Sequence, residues 1–438
     1  MKKDYKESSV SWIGTIPSNW EIYRIKELFN LKTGGTPDSN EGIVDDPEFN
    51  IRWYTAPDFD ETYVLKNSDR NITPEAVKVN NYKLFNKNSI LVVSIASIGK
   101  VALTNEDCYS NQQITALIPK EKEICNSKYL TYCIVAGMDY IKDNALYTTV
   151  PIINSQFIGD LKYPLPPMHE QKSIVDHLDS KCSYIDKLIS KLEEQIKNLE
   201  KFKLSVITEC VTTGFNNINL VDTSIDWIGS IPSHWVVKRL KYVAKLKGRI
   251  GWQGLTAEEY QNEGPYLITG IDFKDGLIDW DSCVHITEKR WSEALDIQIK
   301  NGDLLITKDG TVGKVAIVKN LEGKASLNSG VMVIKLDDKL SKNYLFWVLK
   351  SDVFWKWFEL NNAGNSTIIH LYQNEFENFS YPIPPIREQE KISDYLEKKI
   401  GSVDDSISKL IKQIEIYKRY KKALIYEFIT GKKRVEVQ

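Results

Sequence analysis

The sequence predicts an α+β protein made of one unit used twice. Two globular domains lie in tandem, each followed by a long helix. The two helices pair as an antiparallel coiled coil, with pseudo-twofold symmetry. Three observations carry this expectation. "WIGTIPSNW" (Trp12–Trp20) returns as "WIGSIPSHW" (Trp227–Trp235). Short β-branched runs alternate with turn signals in each half. After a proline run in each half, the apolar pattern changes to a seven-residue period.

The duplication is extensive. Laying Trp12–Lys26 over Trp227–Lys241 gives nine identities in fifteen positions at an offset of 215. "WYTAPDF" (Trp53–Phe59) lies over "LITGIDF" (Leu267–Phe273), which pairs Asp58 with Asp272. "SIGKVAL" (Ser97–Leu103) lies over "TVGKVAI" (Thr311–Ile317), Asn111 over Asn328, and "YPLPPMHEQ" (Tyr163–Gln171) over "YPIPPIREQ" (Tyr381–Gln389). The period is far longer than the repeats of a solenoid. The expected division is a first head at 1–163, a first spacer helix at 164–214, a second head at 215–381 and a second spacer helix at 382–438.

Within the heads, "SILVVSIA" (Ser89–Ala96), "DLLITK" (Asp303–Lys308) and "VMVIKL" (Val331–Leu336) read as strands. "SKYLTYCIVAGMDYI" and "SKNYLFWVLKSDVFWKWF" read as helices. Beyond Pro167, Leu178, Ile185, Leu192 and Leu199 recur every seven residues, with Cys182, Ile189 and Ile196 four residues after the first three. Beyond Pro385 the seam is Leu396, Val403, Leu410 and Tyr417, with Ile400, Ile407 and Ile414. Each helix should run about 42 residues, roughly 60 Å at 1.5 Å per residue. Lys203 and Lys421 occupy the same core position in the two halves. Such a lysine either snorkels from the seam or fixes its register. Antiparallel pairing places one head at each end of the rod.

Composition narrows the function. The chain has 438 residues, a formal net charge of −2 and 57 basic residues. That charge does not announce a nucleic-acid ligand, and binding depends on where the basic residues sit. No apolar run approaches a membrane span, and the start of the chain has no secretory pattern. The six cysteines are scattered without a CxxC pair, so a reduced cytoplasmic protein without a zinc site is expected. Signatures of serine hydrolases, metalloproteases, P-loops and dinucleotide folds are missing. "PDFDETYVLK" (Pro57–Lys66) holds the ingredients of a nuclease site, but its second copy keeps no matching glutamate–lysine pair. Asp58 and Asp272 are therefore read as turn carboxylates. No cofactor and no metal are expected on this chain.

What remains points to binding. Loops rich in glycine, hydroxyl and amide groups beside basic residues recur at matched places. In the first head they supply Lys32, Thr33, Gly34, Gly35 and Thr36, then Ser97 and Lys100, then Asn111, Gln112 and Gln113. In the second they supply Lys247, Arg249, Trp252 and Gln253, then Lys308, Thr311 and Lys314, then Asn328 and Ser329. Glycine allows a phosphate to approach the backbone, and lysine adds charge. Asn and Gln suit an adenine edge, and Arg a guanine edge. Turn chemistry favours the same residue types, but their repetition in both halves favours double-stranded DNA. Lys100 and Lys314 are expected on phosphate, and the differing loops predict an asymmetric target.

These residues resemble a family. "WIGTIPSNW", "WIGSIPSHW", "GGTP" (Gly34–Pro37), "IGKVAL", "VGKVAI", and above all "PLPPMHEQ" and "PIPPIREQ" leading into long helices, are similar to specificity subunits of type I restriction–modification systems. The resemblance spans nearly the whole chain, although the second head has "LKGRIGWQG" where the first has "LKTGGTPDS". It implies that each head is a target-recognition domain for one half of a bipartite DNA site. It also implies that the helices form a spacer that docks two modification subunits, which methylate adenine with S-adenosylmethionine. ATP-driven restriction subunits would add translocation and cleavage. A stand-alone DNA-modifying or DNA-cleaving enzyme and a coiled-coil scaffold are the competing readings.

Overall fold

A computed structural model describes residues 4–36, 43–44, 51–66, 68, 70–80, 82–121, 124–147, 150–215, 219–249, 255–362 and 370–435. The chain divides into two compact units, Met1–Glu193 with Ile411–Gln438, and Glu194–Leu410. Each unit therefore holds one head, part of the helix that follows it, and part of the other long helix.

In the first unit, β1 (Phe29–Thr33), β6 (Ile114–Pro119), β3 (Ile90–Val93) and β4 (Val101–Thr104) form an antiparallel sheet in the order β1-β6-β3-β4, extended by Val64–Leu65 running parallel to β4. A second sheet pairs β2 (Arg52–Tyr54) in parallel with β5 (Cys108–Ser110). Ile90, Leu91, Val92 and Val93 are all buried, because both faces of β3 are covered; an unbroken apolar run suits such a strand. One face packs on α1 (Ser127–Ala136) and α2 (Met138–Asp143), which precede the long helix α3 (Met168–Thr213).

The second unit repeats the plan. Its sheet runs β7 (Ala244–Gly248), β12 (Val331–Leu336), β9 (Leu304–Thr307), β10 (Val315–Ile317), and β8 (Gln261–Ile268) pairs in parallel with β11 (Ala325–Leu327). Helices α4 (Lys342–Leu349) and α5 (Asp352–Asn362) cover it, and α6 (Ile386–Ile429) follows. The two sheets, the parallel pair and the covering helices match in order, as the duplication in the sequence requires.

The repeated motifs prove to be joints between head and helix. The indole Nε1 of Trp20 donates to Glu170 Oε2 at 3.0 Å, and that of Trp235 to Glu388 Oε2 at 2.9 Å. Asn19 and His234 hold the other oxygen of each carboxylate. The glutamine next in sequence turns the other way. Gln171 is fully buried; it accepts from Asn126 N and donates to the carbonyls of Ile124 and Pro166. Gln389 likewise accepts from Ser341 N and donates to Pro384 O. Asn126 and Ser341 are the N-caps of α1 and α4. "PPxxEQ" thus uses its glutamate to clamp the opening tryptophan and its glutamine to seat the capped helix. Gln171→Ala removes the side-chain partner of three backbone groups at a buried position, so it should cost about 2–4 kcal/mol. A lower urea midpoint at unchanged slope is the expected readout; an unmoved midpoint would contradict this accounting.

Helix pairing is antiparallel in each unit. In the first, His177 stacks on Phe428 with ring centroids 4.5 Å apart, and Asp186 meets Lys421. In the second, Lys203 pairs with Asp404 and Phe215 lies edge-on to Tyr395. Leu178, Ile185 and Ile189 are buried, as are Leu396 and Val403. Leu192, Ile196, Leu199, Ile407, Leu410, Ile414 and Tyr417 are half-buried. The heptad seam is therefore tightest beside each head. Lys421 does not snorkel: it is 2% exposed and gives both Asp186 carboxylate oxygens a hydrogen bond.

All six cysteines are free and buried. Burial pushes the Cys108 and Cys125 thiols up to about 12, so they stay protonated at neutral pH and are poor nucleophiles. No helix among the described residues is long and apolar enough to cross a membrane.

Candidate nucleic-acid interface

The loops singled out in the sequence gather at one edge of the first head. Gly34 N donates to Ile114 O at 3.0 Å and Gly35 N to Ser110 O at 2.9 Å. A Cβ on Gly34 would lie 2.3 Å from Asn111 O and 2.4 Å from Ser110 O, so only glycine lets the end of β1 close onto this turn. Thr36 Oγ1 meets Gln112 Oε1. The turn itself is stiff: Asn111 N donates to Tyr54 O, Gln113 N to Asn111 Oδ1, and Asn111 Nδ2 to Gln113 Oε1. Ser94 N bonds to Gln113 O at 2.8 Å, which joins the turn to the chain leading to Ser97. Lys32, Thr33, Thr36, Ser97 and Gln112 are exposed on this framework.

The second head closes the same seam by other means. Arg249 takes the place of Gly34 and is only 4% exposed. Its Nε donates to Leu327 O at 2.7 Å and a terminal nitrogen to Ser326 Oγ at 3.0 Å. The guanidinium thus braces the end of β11, which departs from the expectation that Arg249 contacts DNA. Lys247 is drawn into an ion pair with Asp296 at 2.9 Å. Asn328 repeats the role of Asn111: its backbone N donates to Ile268 O, and its amide donates to Tyr260 Oη at 3.1 Å. Ser329 Oγ donates to Asn328 Oδ1. Lys308 N donates to Gly330 O, which places Lys308 beside that turn, and Thr311 is exposed nearby. Trp252 and Gln253 lie outside the described residues.

Lys100 and Lys314, expected on phosphate, each reach a backbone carbonyl, with Lys100 half-buried and Lys314 exposed. Lys100 Nζ donates to Ala56 O at 2.7 Å and Lys314 Nζ to Gly270 O at 3.3 Å, two matched carbonyls. Each carbonyl belongs to a turn held by the carboxylate read earlier as structural. Asp58 accepts from Thr55 N and Oγ1, and Asp272 from Thr269 N and Oγ1. The glycine before each lysine makes room for an α2 or α5 side chain. Lys142 Cε would be 2.6 Å from a Cβ on Gly99, and Trp355 Cη2 2.5 Å from one on Gly313. "GK" is therefore a packing joint of the head in this structure. Among the described residues, no group of three or more His, Cys, Asp or Glu is placed to hold a metal ion.

Sequence reading missed Lys142, Tyr260, and the His370–Asp309 pair beside Lys308. Lys142, Tyr260 and His370 reach the edge from segments distant in sequence, and none carries a local motif.

Two antiparallel four-strand arrays with the same order, each presenting a stiff polar turn at the same edge, make a tandem of one binding domain. The model of the type I restriction modification DNA specificity domain matches residues 17–199 and again 232–416, so the class is a tandem of two DNA specificity domains. The chain belongs to that family. Two relatives come from Methanocaldococcus jannaschii. The type I restriction enzyme MjaVIII specificity subunit is 25% identical over 429 residues, covering 96% of this chain and 94% of the relative. The MjaIX specificity subunit is 26% identical over 446 residues, covering 99% and 97%. A solved chain from work on the complex assembly and conformational transition of the type I R-M system matches with a TM-score of 0.70 at 16% identity. That match covers 95% of this chain and 99% of the other, and shows a shared fold.

Proposed function

We propose that this chain reads an asymmetric, bipartite target in double-stranded DNA, with one head per half-site. In this reading the heads are 1–163 and 215–381. The spacer helices, 164–214 and 382–438, dock two modification subunits, and restriction subunits join that complex. The chain itself catalyses nothing: S-adenosylmethionine and ATP bind its partners, and the assembly works in the cytoplasm. The observation that supports this best is the matched edge of the two heads. Its framework bonds repeat, through Asn111 and Asn328 and through Asp58 and Asp272. Its exposed groups repeat only in part: Ser97 and Thr311 are matched hydroxyls, whereas Gln112 stands where the second head has Ser329. A constant scaffold with variable projecting groups is what base readout on top of phosphate positioning demands.

Exchanging residues 1–163 for the matching head of a relative tests this. With the modification partners present, one half of the methylated motif should change and the other should stay. A change in both halves, or in neither, would overturn the one-head-per-half-site reading.

A further inference from the structure

We infer that Lys421 is a positioning residue that ties the helix pair to the reading edge of the first head, an inference that rests on the DNA-reading function proposed above. Its ammonium lies at a three-way junction. It donates to Asp186 Oδ1 at 2.7 Å and Oδ2 at 2.9 Å on α3, and to the backbone carbonyl of Glu61 at 2.8 Å in the head. The Tyr63 ring covers it, with the nitrogen 4.9 Å from the ring centroid. Tyr63 in turn packs edge-on against Tyr132, whose hydroxyl donates to Asp179 on α3 at 2.7 Å.

The gripped segment leads directly to the candidate interface. It leaves β2 through the Thr55–Asp58 turn, whose Ala56 carbonyl holds Lys100. It returns as Val64–Leu65, which pairs with β4, and Tyr63 O accepts from Leu103 N at 2.9 Å. The end of β2 anchors Asn111 through Tyr54 O. Any tilt of this segment therefore moves both candidate loops, Ser97–Lys100 and Asn111–Gln113. A buried ammonium with three charge-assisted or carbonyl bonds has one geometry, which makes it a stiff link.

The second unit supplies an internal comparison. Lys203, at the matched position, pairs with Asp404 at 2.5 Å, yet its side chain is 26% exposed against 3% for Lys421. Among the described residues, only Lys421 of these two has a hydrogen bond to a head carbonyl. The helix pairing is thus polar in both units, but the lock onto the head belongs to the first.

The variant Lys421→Met with Asp186→Leu removes the donor and its counter-ion together and keeps apolar volume, so it should remain folded. It is tested in the complex with modification subunits, after the wild-type motif has been mapped. Affinity is measured for the intact target and for targets with either half-site scrambled. Discrimination of the first half-site should fall about tenfold, the effect of one mispaired base pair. Discrimination of the second should not move. A purely structural brace predicts equal losses in both halves or none, and either result overturns the inference. Asp186→Asn, which keeps the lysine and its bond to Glu61 O, should retain first-half discrimination. If it relaxes that half as far as the double variant does, the ion pair and not the carbonyl bond is responsible, and the inference fails. Should the double variant not fold, this arm alone decides. A wild-type complex that discriminates neither half-site would instead sink the proposed function.

Discussion

Gly34→Ala should abolish definition of one half of the DNA target and leave the other half intact. The added Cβ would sit 2.3 Å from Asn111 O and 2.4 Å from Ser110 O, where 3.4–4 Å is ordinary contact. Both obstacles are backbone atoms, and no rotamer change removes them. Either the end of β1 lifts away, losing Gly34 N to Ile114 O and Gly35 N to Ser110 O, or the turn at Asn111–Gln113 is pushed out of place. Overpacking of this kind costs about 1–3 kcal/mol, occasionally more. The first unit buries a large apolar core elsewhere, so the head should stay folded while its reading edge is disordered. Arg249→Met in the second head should give the mirror result, because it strips two bonds from the end of β11 at the equivalent place. Gly14→Ala is the control: nothing lies within 4 Å of its added Cβ, although its φ of +70° brings some strain. Mapping methylated motifs for the three variants is the measurement. A complete motif from Gly34→Ala would show that this seam does not position the reading groups.

These residues also show how much could be read in advance. The duplication, the alternation of strands and turns, and the heptad seams are periodic, and periodicity survives in one dimension. Partners are not periodic. The tryptophan motif is plain in the sequence, but its task is set by Glu170, 150 residues away along the chain. "SIGK" and "TVGK" were legible as glycine-plus-lysine loops, and that chemistry suits a phosphate. The same chemistry suits a backbone carbonyl, and the Ala56 and Gly270 carbonyls are brought there by a separate strand. Gly34 and Arg249 look unrelated as letters, and they prove related only once β1 and β7 are seen to close the same seam. Burial of Lys421 was equally hidden, since a lysine in a heptad core position is compatible with snorkelling until its neighbours are known.

Inserting one heptad after Leu192 and another after Leu410 should lengthen the non-specific gap in the DNA target, whereas either insertion alone should abolish methylation. Seventeen residues separate Asp186 from Lys203 (203 − 186), and seventeen separate Asp404 from Lys421 (421 − 404), so the two ion pairs are equally spaced along both helices. Paired insertions keep that equality and preserve the apolar seam, because seven residues restore the same face. A single insertion makes the separations 24 and 17. One pair must then break, and whichever pair holds, the far end of the helix pair is displaced by one heptad, about 10 Å. Under the proposed function, half-sites in successive major grooves of one DNA face lie roughly 34–36 Å, or about 10 base pairs, apart. Half-sites of a few base pairs would leave a gap of roughly six or seven on that spacing. The paired insertion adds about 10 Å of helix at 1.5 Å per residue. At about 3.4 Å per base pair, the gap should grow by up to roughly three base pairs, less where DNA twist turns the second half-site from the facing side. Vigorous methylation by the paired variant with the original gap would show that these helices do not measure the distance.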